Sequence, residues 1–466
     1  MHPRDDCPFA FERHGDAVAL LGADSTWTYS ALGRAADAAA MDLGSDDLVA
    51  VVAASDVGSL LAYLACQRAG RPVLLVDERL AEERRSDLYR RFLVSVVFDG
   101  RWRRLRSSGP EMHPDLSLLL STSGSTGAPK LVRLSRAAVC ANASAIARYL
   151  SLRADDVAIT SLPFHYSYGL SVVHSHLLVG GSIVVADFAV TQREFWDLVR
   201  SRGVSNLAGV PVMYEWMRRL RVERMDLPNM RMLTQAGGRL APDSVRWWAE
   251  TAGKKGWEFF VMYGQTEATA RMAYLPPRLA ASHADAIGLP IPGGSFSLVC
   301  DAGQPVEDSD REGELVYSGA NVMMGYANEA KDLARGDELG GVLRTGDVAM
   351  RDAAGIYRIV GRRSRFLKVF GKRLALDHLE KLLADRGLTA VVTGRDDCVI
   401  VVAGDTQAAD AAAATVAEIA GVHRSVVNPL PMTEPPRTSS GKLNYAEIIA
   451  AFDRHRQGAR ETGQHR

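Results

Sequence analysis

The chain has 466 residues, 47% hydrophobic and 24% charged, and its 55 lysines and arginines are balanced by 55 aspartates and glutamates. That length exceeds one average domain and suits two or three, each with core enough to fold without staples. The charge balance gives no reason to expect a nucleic-acid or membrane surface, so neither partner is expected.

The five cysteines (Cys7, Cys66, Cys140, Cys300, Cys398) are scattered, with no CxxC pair and no histidine at ligand spacing, so they read as reduced, mostly buried thiols rather than a zinc site. The opening "MHPRDDCPFA" has no apolar h-region, and the longest greasy segment, "GLSVVHSHLLVGGSIVVADFAV", is broken by His, Gly and Asp. A cytoplasmic location is the expectation.

In chain order, strand-like runs ("LVAVVAA", "RPVLLVD", "LVSVVF") alternate with helical patterns ("SALGRAADAAAMDL", "VGSLLAYLACQRAG"), the rhythm of βαβ units and a parallel sheet. Ser30 is the expected cap of the first of those helices. The rhythm continues through "SIVVADF", "REFWDLVRSRG" and "EFFVMYG". From about Gly293 the texture changes to short strands and turns ("SFSLVC", "GELVYSG", "GIYRIVG"), a small β subdomain. After "GRRSR" comes an α+β module of about one hundred residues, in which "DTQAADAAAATVAEIAG" reads as an ordinary surface helix.

The stretch "STSGSTGAPK", Ser121 to Lys130, follows the apolar run "LSLLL". Backbone amides in a Gly/Ser/Thr loop can converge on an anion, hydroxyls add donors and a terminal lysine adds charge, which suits the polyphosphate of ATP. A Walker loop would need Gly-Lys-Ser/Thr opening a helix, whereas Lys130 follows Ala128 and Pro129 and precedes Leu131.

That loop resembles the phosphate loop of the adenylate-forming superfamily, which includes acyl-CoA synthetases and peptide-synthetase adenylation domains. Six further segments stand in the family's order: "LPFHYSYG", "MYGQTEAT", "GELVYSGANVMMGY", "RTGD", "GRRSRFLKVFGKRLALDHLE" and "PRTSSGKLNY". The resemblance covers nearly the whole chain. It implies an α/β fold: a large N-terminal domain of βαβ-type parallel sheets plus a small β subdomain (1–361), a hinge (362–365) and a mobile α+β C-terminal lid (366–466).

The resemblance also implies a chemistry. An acid is joined to the α-phosphate of ATP with loss of pyrophosphate, and a thiol of CoA or a carrier protein then displaces AMP. Attack of one anion on another needs positive charge at the reacting oxygens, a role the resemblance gives to Lys442. Glu267 matches the carboxylate that holds Mg²⁺, Thr266 a donor to the α-phosphate, and Tyr263, beside Gly264, the adenine neighbour. Ser121, Thr122, Ser123, Gly124, Ser125, Thr126, Gly127 and Lys130 would grip the β- and γ-phosphates.

Asp347 matches the ribose ligand with Arg362 as companion, and Gly237 and Gly238 of "TQAGGRLAP" the adenine-pocket turn. His165 aligns with a gate of the acyl site, the alternative being a packed core histidine. Tyr166, Ser167, Tyr168, Met262, Ala268 and Arg271 are expected to line the acid pocket, Arg271 pairing with a polar group of the acid.

The chain departs from the family where Asp or Lys usually follows two residues after the hinge arginine; here stands Ser364, then Arg365. No aromatic precedes "RTGD". Gly371 still marks where a pantetheine arm would pass. Two alternatives to thiol transfer remain open at this level: activation of another oxyanion such as nitrite or transfer to an amine, and a nucleotide-binding protein without turnover.

Overall fold

The computed structural model describes residues 7–121, 130–363, 365–370, 372–438 and 443–462. Two compact units emerge, one of residues 1–296 and 317–343, the other of 297–316 and 344–466.

The first unit holds two twisted sheets. In the nine-stranded sheet, strands Glu258–Tyr263, Met232–Gln235, Asn206–Gly209, Val157–Ile159, Ser182–Val184 and Val18–Leu21 run parallel in that spatial order. Antiparallel strands Ala273–Leu275, Leu289–Pro290 and Thr26–Thr28 complete its edges. In the seven-stranded sheet, Leu116–Ser121, Val73–Asp77, Val49–Ala53 and Val96–Phe98 are parallel, while Leu131–Ser135 and then Gly325–Ala327 extend one side antiparallel. The β-branched and Leu-rich runs of these strands are buried on both faces, as parallel strands covered by helices must be.

Helix Arg136–Tyr149 packs on Leu116–Ser121 and Leu131–Ser135 of the smaller sheet, helix Ser167–Val179 packs on Val157–Ile159 and Ser182–Val184 of the larger, and the two helices pack on each other. The second helix is buried on nearly every side. A helix apolar all round belongs inside, and its two histidines are satisfied there: His174 Nε2 lies 2.7 Å from the Tyr63 hydroxyl, and His176 Nδ1 2.8 Å from the Val172 carbonyl.

The expected cap at Ser30 is two residues off. Helix Tyr29–Ala39 is capped by Thr28, whose Oγ1 accepts from the Ala31 amide at 3.2 Å. Thr28 has extended backbone and Ser30 already lies inside the first turn, so only the threonine can play the capping role.

Most of the four-stranded sheet Gly294–Val299, Gly313–Gly319, Val342–Arg351 and Tyr357–Arg362 falls in the second unit. That unit continues with the hairpin Phe366–Val369 and Lys372–Ala375 and a three-stranded sheet, Val391–Arg395, Cys398–Ala403 and Val427–Pro431. Helix Thr406–Ala420 makes the crossover between the last two strands, which are parallel. Its alanines are not a surface feature alone: Ala409, Ala412, Ala413, Val416, Ala417 and Ala420 form a buried stripe at helical spacing, small enough to let the helix lie close on the sheet. None of the five cysteines is in a disulfide; Cys7 and Cys66 are buried and the rest half-buried.

Candidate active site

In open α/β sheets, ligands gather beyond the carboxyl ends of the parallel strands. His165 follows the strand Val157–Ile159, Gly237 and Gly238 follow Met232–Gln235, and Gly264 to Glu267 follow Glu258–Tyr263. The same sheet edge therefore supplies three of the segments singled out in the sequence.

The segment after Tyr263 turns sharply and is over-determined. Gly264 leaves no room for a side chain, because a Cβ there would lie 1.9 Å from the Ala270 carbonyl. A 3₁₀ turn, Thr266–Ala268, follows and ends at Thr269, a β-branched residue held at φ 66°, a conformation that costs about 1–3 kcal/mol. Asn321 offsets that strain. Its carbonyl accepts from Thr269 Oγ1 at 2.7 Å and its Nδ2 donates to the carbonyls of Ala268 and Arg271 at 2.8 and 3.1 Å.

Glu267 is thereby fixed by its backbone, its carbonyl accepting from the Met323 amide at 2.8 Å. Its carboxylate is met by a residue the sequence reading gave no role: the Tyr326 hydroxyl donates to Glu267 Oε1 at 2.7 Å. Burial, and then the adjacent carboxylate, push the Tyr326 phenol well above its usual range, so it remains a donor. The ring of Tyr326 faces the Lys130 ammonium, Nζ lying 5.7 Å from its centroid. Lys130 directly precedes the strand Leu131–Ser135, and Tyr326 sits on the neighbouring strand opposite Val132. Glu267 and Lys130, from different motifs, thus meet at Tyr326.

Ser121 ends its strand exposed, opposite Leu131. Thr122, Ser123, Gly124, Ser125, Thr126, Gly127 and Lys442 lie outside the described residues, as do Ser364 and Gly371.

Thr266 Oγ1 lies 3.2 Å from Ser167 Oγ, which joins the 3₁₀ turn to the start of the buried helix. Tyr166 and Tyr168 meet edge to face with centroids 6.2 Å apart. The Tyr166 hydroxyl occupies the space beside Gly237, where a Cβ would come within 2.5 Å of it. Gly238 lies against the Pro211 ring. The Tyr168 hydroxyl donates to the Thr234 carbonyl at 2.7 Å, and burial pushes its pKa up to about 12. Gln265 Nε2 is 3.4 Å from the Tyr263 hydroxyl.

Arg271 is 2% exposed and Ala268 fully buried. The Arg271 guanidinium lies over the Tyr168 ring at 4.7 Å, and its Nη1 reaches the Tyr149 hydroxyl at 3.0 Å and Met262 Sδ at 2.9 Å. Its Nε is buried without a hydrogen-bond partner, and among the described residues no carboxylate pairs with it. Tyr149 was not foreseen either; it stacks on Tyr274 at 4.4 Å.

His165 Nε2 stands 3.5 Å from Asp77 Oδ2, and its Nδ1 is buried without a partner. Burial pushes the imidazole below its usual range, with Asp77 opposing the shift and Arg79 adding to it. Asp77 ends the run "LLVD", a strand of the seven-stranded sheet, while His165 follows a strand of the nine-stranded one.

In the second unit Asp347 is 1% exposed, its Oδ1 2.8 Å from Arg362 Nε. The two residues are direct partners across the antiparallel pair, which makes Arg362 the companion the sequence named.

Mg²⁺ takes one or two carboxylates together with substrate phosphates rather than an all-protein cage. Among the described residues no cluster of three or more His, Cys, Asp and Glu could hold a metal. A lone Glu267, whose Oε2 accepts no hydrogen bond among the described residues, fits that kind of site.

Comparison with known proteins gives the same picture. Residues 105–327 match the family model described as AMP-binding enzyme. The indoleacetate–CoA ligase of Aromatoleum aromaticum is 30% identical over 278 residues, covering 59% of this chain and 53% of the relative. The anthranilate–CoA ligase of Pseudomonas aeruginosa is 31% identical over 265 residues, 56% of this chain and 49% of the relative. The chain thus spans about half the length of these curated relatives.

The o-succinylbenzoate CoA synthetase of Bacillus subtilis, solved with its acyl-adenylate intermediate, superposes with a TM-score of 0.76 at 20% identity over 94% of this chain and 97% of that one. At that identity the likeness shows the fold, α/β with parallel sheets, as expected. None of the described helices is long and apolar enough to cross a membrane. The sequence motifs, the match of residues 105–327 to the AMP-binding enzyme family and the fold all show likeness to the adenylate-forming superfamily.

Proposed function

We propose that the protein is an AMP-forming acid ligase, which joins a small carboxylic acid to the α-phosphate of ATP, releases pyrophosphate and passes the acyl group to the thiol of CoA. The observation that carries this reading is the meeting of Glu267 and Lys130 at Tyr326, a carboxylate and an ammonium brought to one strand edge.

In this reading Lys130 and the loop before it bind the β- and γ-phosphates. Thr266, set by Gly264 and the strained Thr269, donates to the α-phosphate. Glu267 holds Mg²⁺, which when bound neutralises charge between phosphate oxygens. Tyr263 and the Gly237–Gly238 turn flank adenine, and Asp347 with Arg362 receives the ribose hydroxyls. Lys442 supplies charge to the reacting oxygens, and His165, neutral at pH 7, forms part of the wall between acid and nucleotide.

Aromatic acids are the first class to test. Tyr166 and Tyr168 give aromatic walls, and relatives include ligases named for indoleacetate, ferulate and anthranilate. A carrier arm in place of CoA is the finer alternative for the acceptor, and the cytoplasm the proposed location.

Acid-dependent ATP–pyrophosphate exchange tests adenylation, and CoA-thioester formation from the same acid tests the second step. Exchange across aryl, arylalkyl and fatty acids should occur with at least one class. Thioester formation without added carrier protein would fix CoA as the acceptor.

A further inference from the structure

Tyr326 lies on the short strand Gly325–Ala327, whose backbone and the turn leading into it are already well held. The Met323 amide donates to the Glu267 carbonyl at 2.8 Å, and the Met324 amide to the Arg133 carbonyl at 2.8 Å. Arg133, fully buried, donates through Nη2 to the Met324 carbonyl at 3.1 Å and to Glu338 Oε2 at 2.8 Å. Gly325 and Tyr326 then pair with Arg133 and Val132 across the sheet. Gly325 cannot be replaced cheaply, since it holds φ +130°, a backbone conformation that other residues rarely adopt.

The backbone of this turn therefore has its anchors without the Tyr326 side chain. What the side chain adds is one hydrogen bond to a partly exposed carboxylate, at 2.7 Å, and one aromatic face toward Lys130.

A carboxylate free to rotate presents either oxygen to a cation. With Oε1 held by the Tyr326 hydroxyl, Glu267 keeps Oε2 as the oxygen that accepts no hydrogen bond among the described residues. Hydrogen bonds that orient a ligating carboxylate from behind govern metal affinity in general, and their loss costs roughly 10–100-fold.

We propose that Tyr326 is the positioning residue of the metal carboxylate: its hydroxyl sets Glu267 to bind Mg²⁺ through Oε2, and its ring holds the Lys130 ammonium beside the same phosphates. The proposal rests on Glu267 being the Mg²⁺ carboxylate of the reading above. It gives Tyr326 two separable functions, one in the hydroxyl and one in the ring.

The test is calorimetric titration of the full chain with ATP, once with Mg²⁺ and once with EDTA, for the unmodified protein, Tyr326→Phe, Tyr326→Leu and Glu267→Gln. Tyr326→Phe removes only the hydroxyl. It should leave metal-free ATP affinity unchanged and reduce the gain that Mg²⁺ brings by roughly tenfold. Tyr326→Leu should lose that gain and weaken metal-free binding as well. Glu267→Gln should lose the gain at least as fully as Tyr326→Phe.

A thermal melt of each variant reports whether it folds. A merely structural tyrosine would lower the melting temperature in Tyr326→Phe and leave the metal-dependent gain intact, which would overturn the proposal. Absence of any Mg²⁺-dependent gain in the unmodified protein would overturn it together with the role of Glu267. Normal Mg²⁺-dependent binding that responds to Tyr326→Phe, with no pyrophosphate exchange for any acid, would support the positioning role and remove the adenylation reading instead.

Discussion

Arg365 meets Glu380 with both arms of its guanidinium, Nη2 lying 2.8 Å from Oε1 and Nη1 3.2 Å from Oε2. The same group binds Asp377, donates to the Val392 carbonyl at 2.7 Å and lies over the Tyr445 ring at 4.6 Å. Burial opposes its charge, but the Glu380 hydrogen bond and charge outweigh that and raise its pKa further. The pair is half-buried, and hydrogen bonds between charged groups contribute about 1.5–3 kcal/mol. Arg365→Ala should therefore destabilise the second unit by about that much, read as an early transition in urea. Arg365→Lys should recover little of it, because lysine cannot reproduce the fork.

On the other side of Ser364, Arg363 is anchored separately, to Glu314 at 2.6 Å and Asp301 at 2.8 Å. Position 364, between these two arginines, belongs to the proposed hinge of residues 362–365. Proline there fixes φ. Ser364→Pro should keep ATP–pyrophosphate exchange within about twofold and slow thioester formation at least roughly tenfold, the mark of a lid that must turn between steps. Equal losses in both assays would place the hinge elsewhere.

Asp347 is the buried partner of Arg362 and the proposed ribose ligand. Hydrogen bonds to a charged group contribute about 1.5–3 kcal/mol, so Asp347→Ala should raise KM for ATP by roughly tenfold or more. KM for the acid should not move. A change confined to the acid would remove Asp347 from the nucleotide site.

Gly237 adopts φ +84°, and its missing Cβ leaves room for the Tyr166 hydroxyl. Gly237→Ala combines a left-handed backbone with a clash, a change that costs more than about 1 kcal/mol. The expected outcome is a lower melting temperature together with a raised KM for both ATP and the acid, because the turn flanks adenine and Tyr166 must move. An unchanged KM for ATP would remove the glycine from the adenine pocket.

Burial lowers the pKa of His174 to about 3 and of His176 to about 4. An unfolded histidine titrates near ~6.5, so below that pH the unfolded chain binds more protons than the folded one. Stability is then fully present above about pH 6.5 and falls as pH drops, by up to about 1.4 kcal/mol per pH unit for each histidine. The loss levels off only near the folded values. Urea midpoints from about pH 7 to about pH 5 should show this slope, and His174→Gln, which keeps an acceptor for the Tyr63 hydroxyl, should flatten it. An unchanged slope would mean that carboxylates dominate the acid limb.

Much of this arrangement was legible in the sequence because it is local. Thr266, Glu267 and Arg271 stand within six residues, and Asp347 and Arg362 were paired by motif before the strands showed them opposite each other. What was missed depends on contacts between distant segments. Tyr326 and Glu267 are 59 residues apart, and Asp77 ends a strand of the seven-stranded sheet whereas His165 lies in a turn after a strand of the nine-stranded one. Nothing in "MMGY" marks its tyrosine as a carboxylate donor until the turn folds onto the 3₁₀ segment. The burial of Arg271 without an acid was also invisible, since spacing gives a residue's neighbours along the chain and not the Tyr149, Met262 and Tyr168 that surround it.

The most direct measurement of the central claim is ATP–pyrophosphate exchange with the purified chain across aryl, arylalkyl and fatty acids, without thiol. The account predicts exchange that requires both an acid and Mg²⁺ and that falls at least roughly a hundredfold in Lys442→Ala, the loss expected when a transition-state charge is removed. Exchange that needs no acid, or none with any acid while ATP still binds, would contradict it.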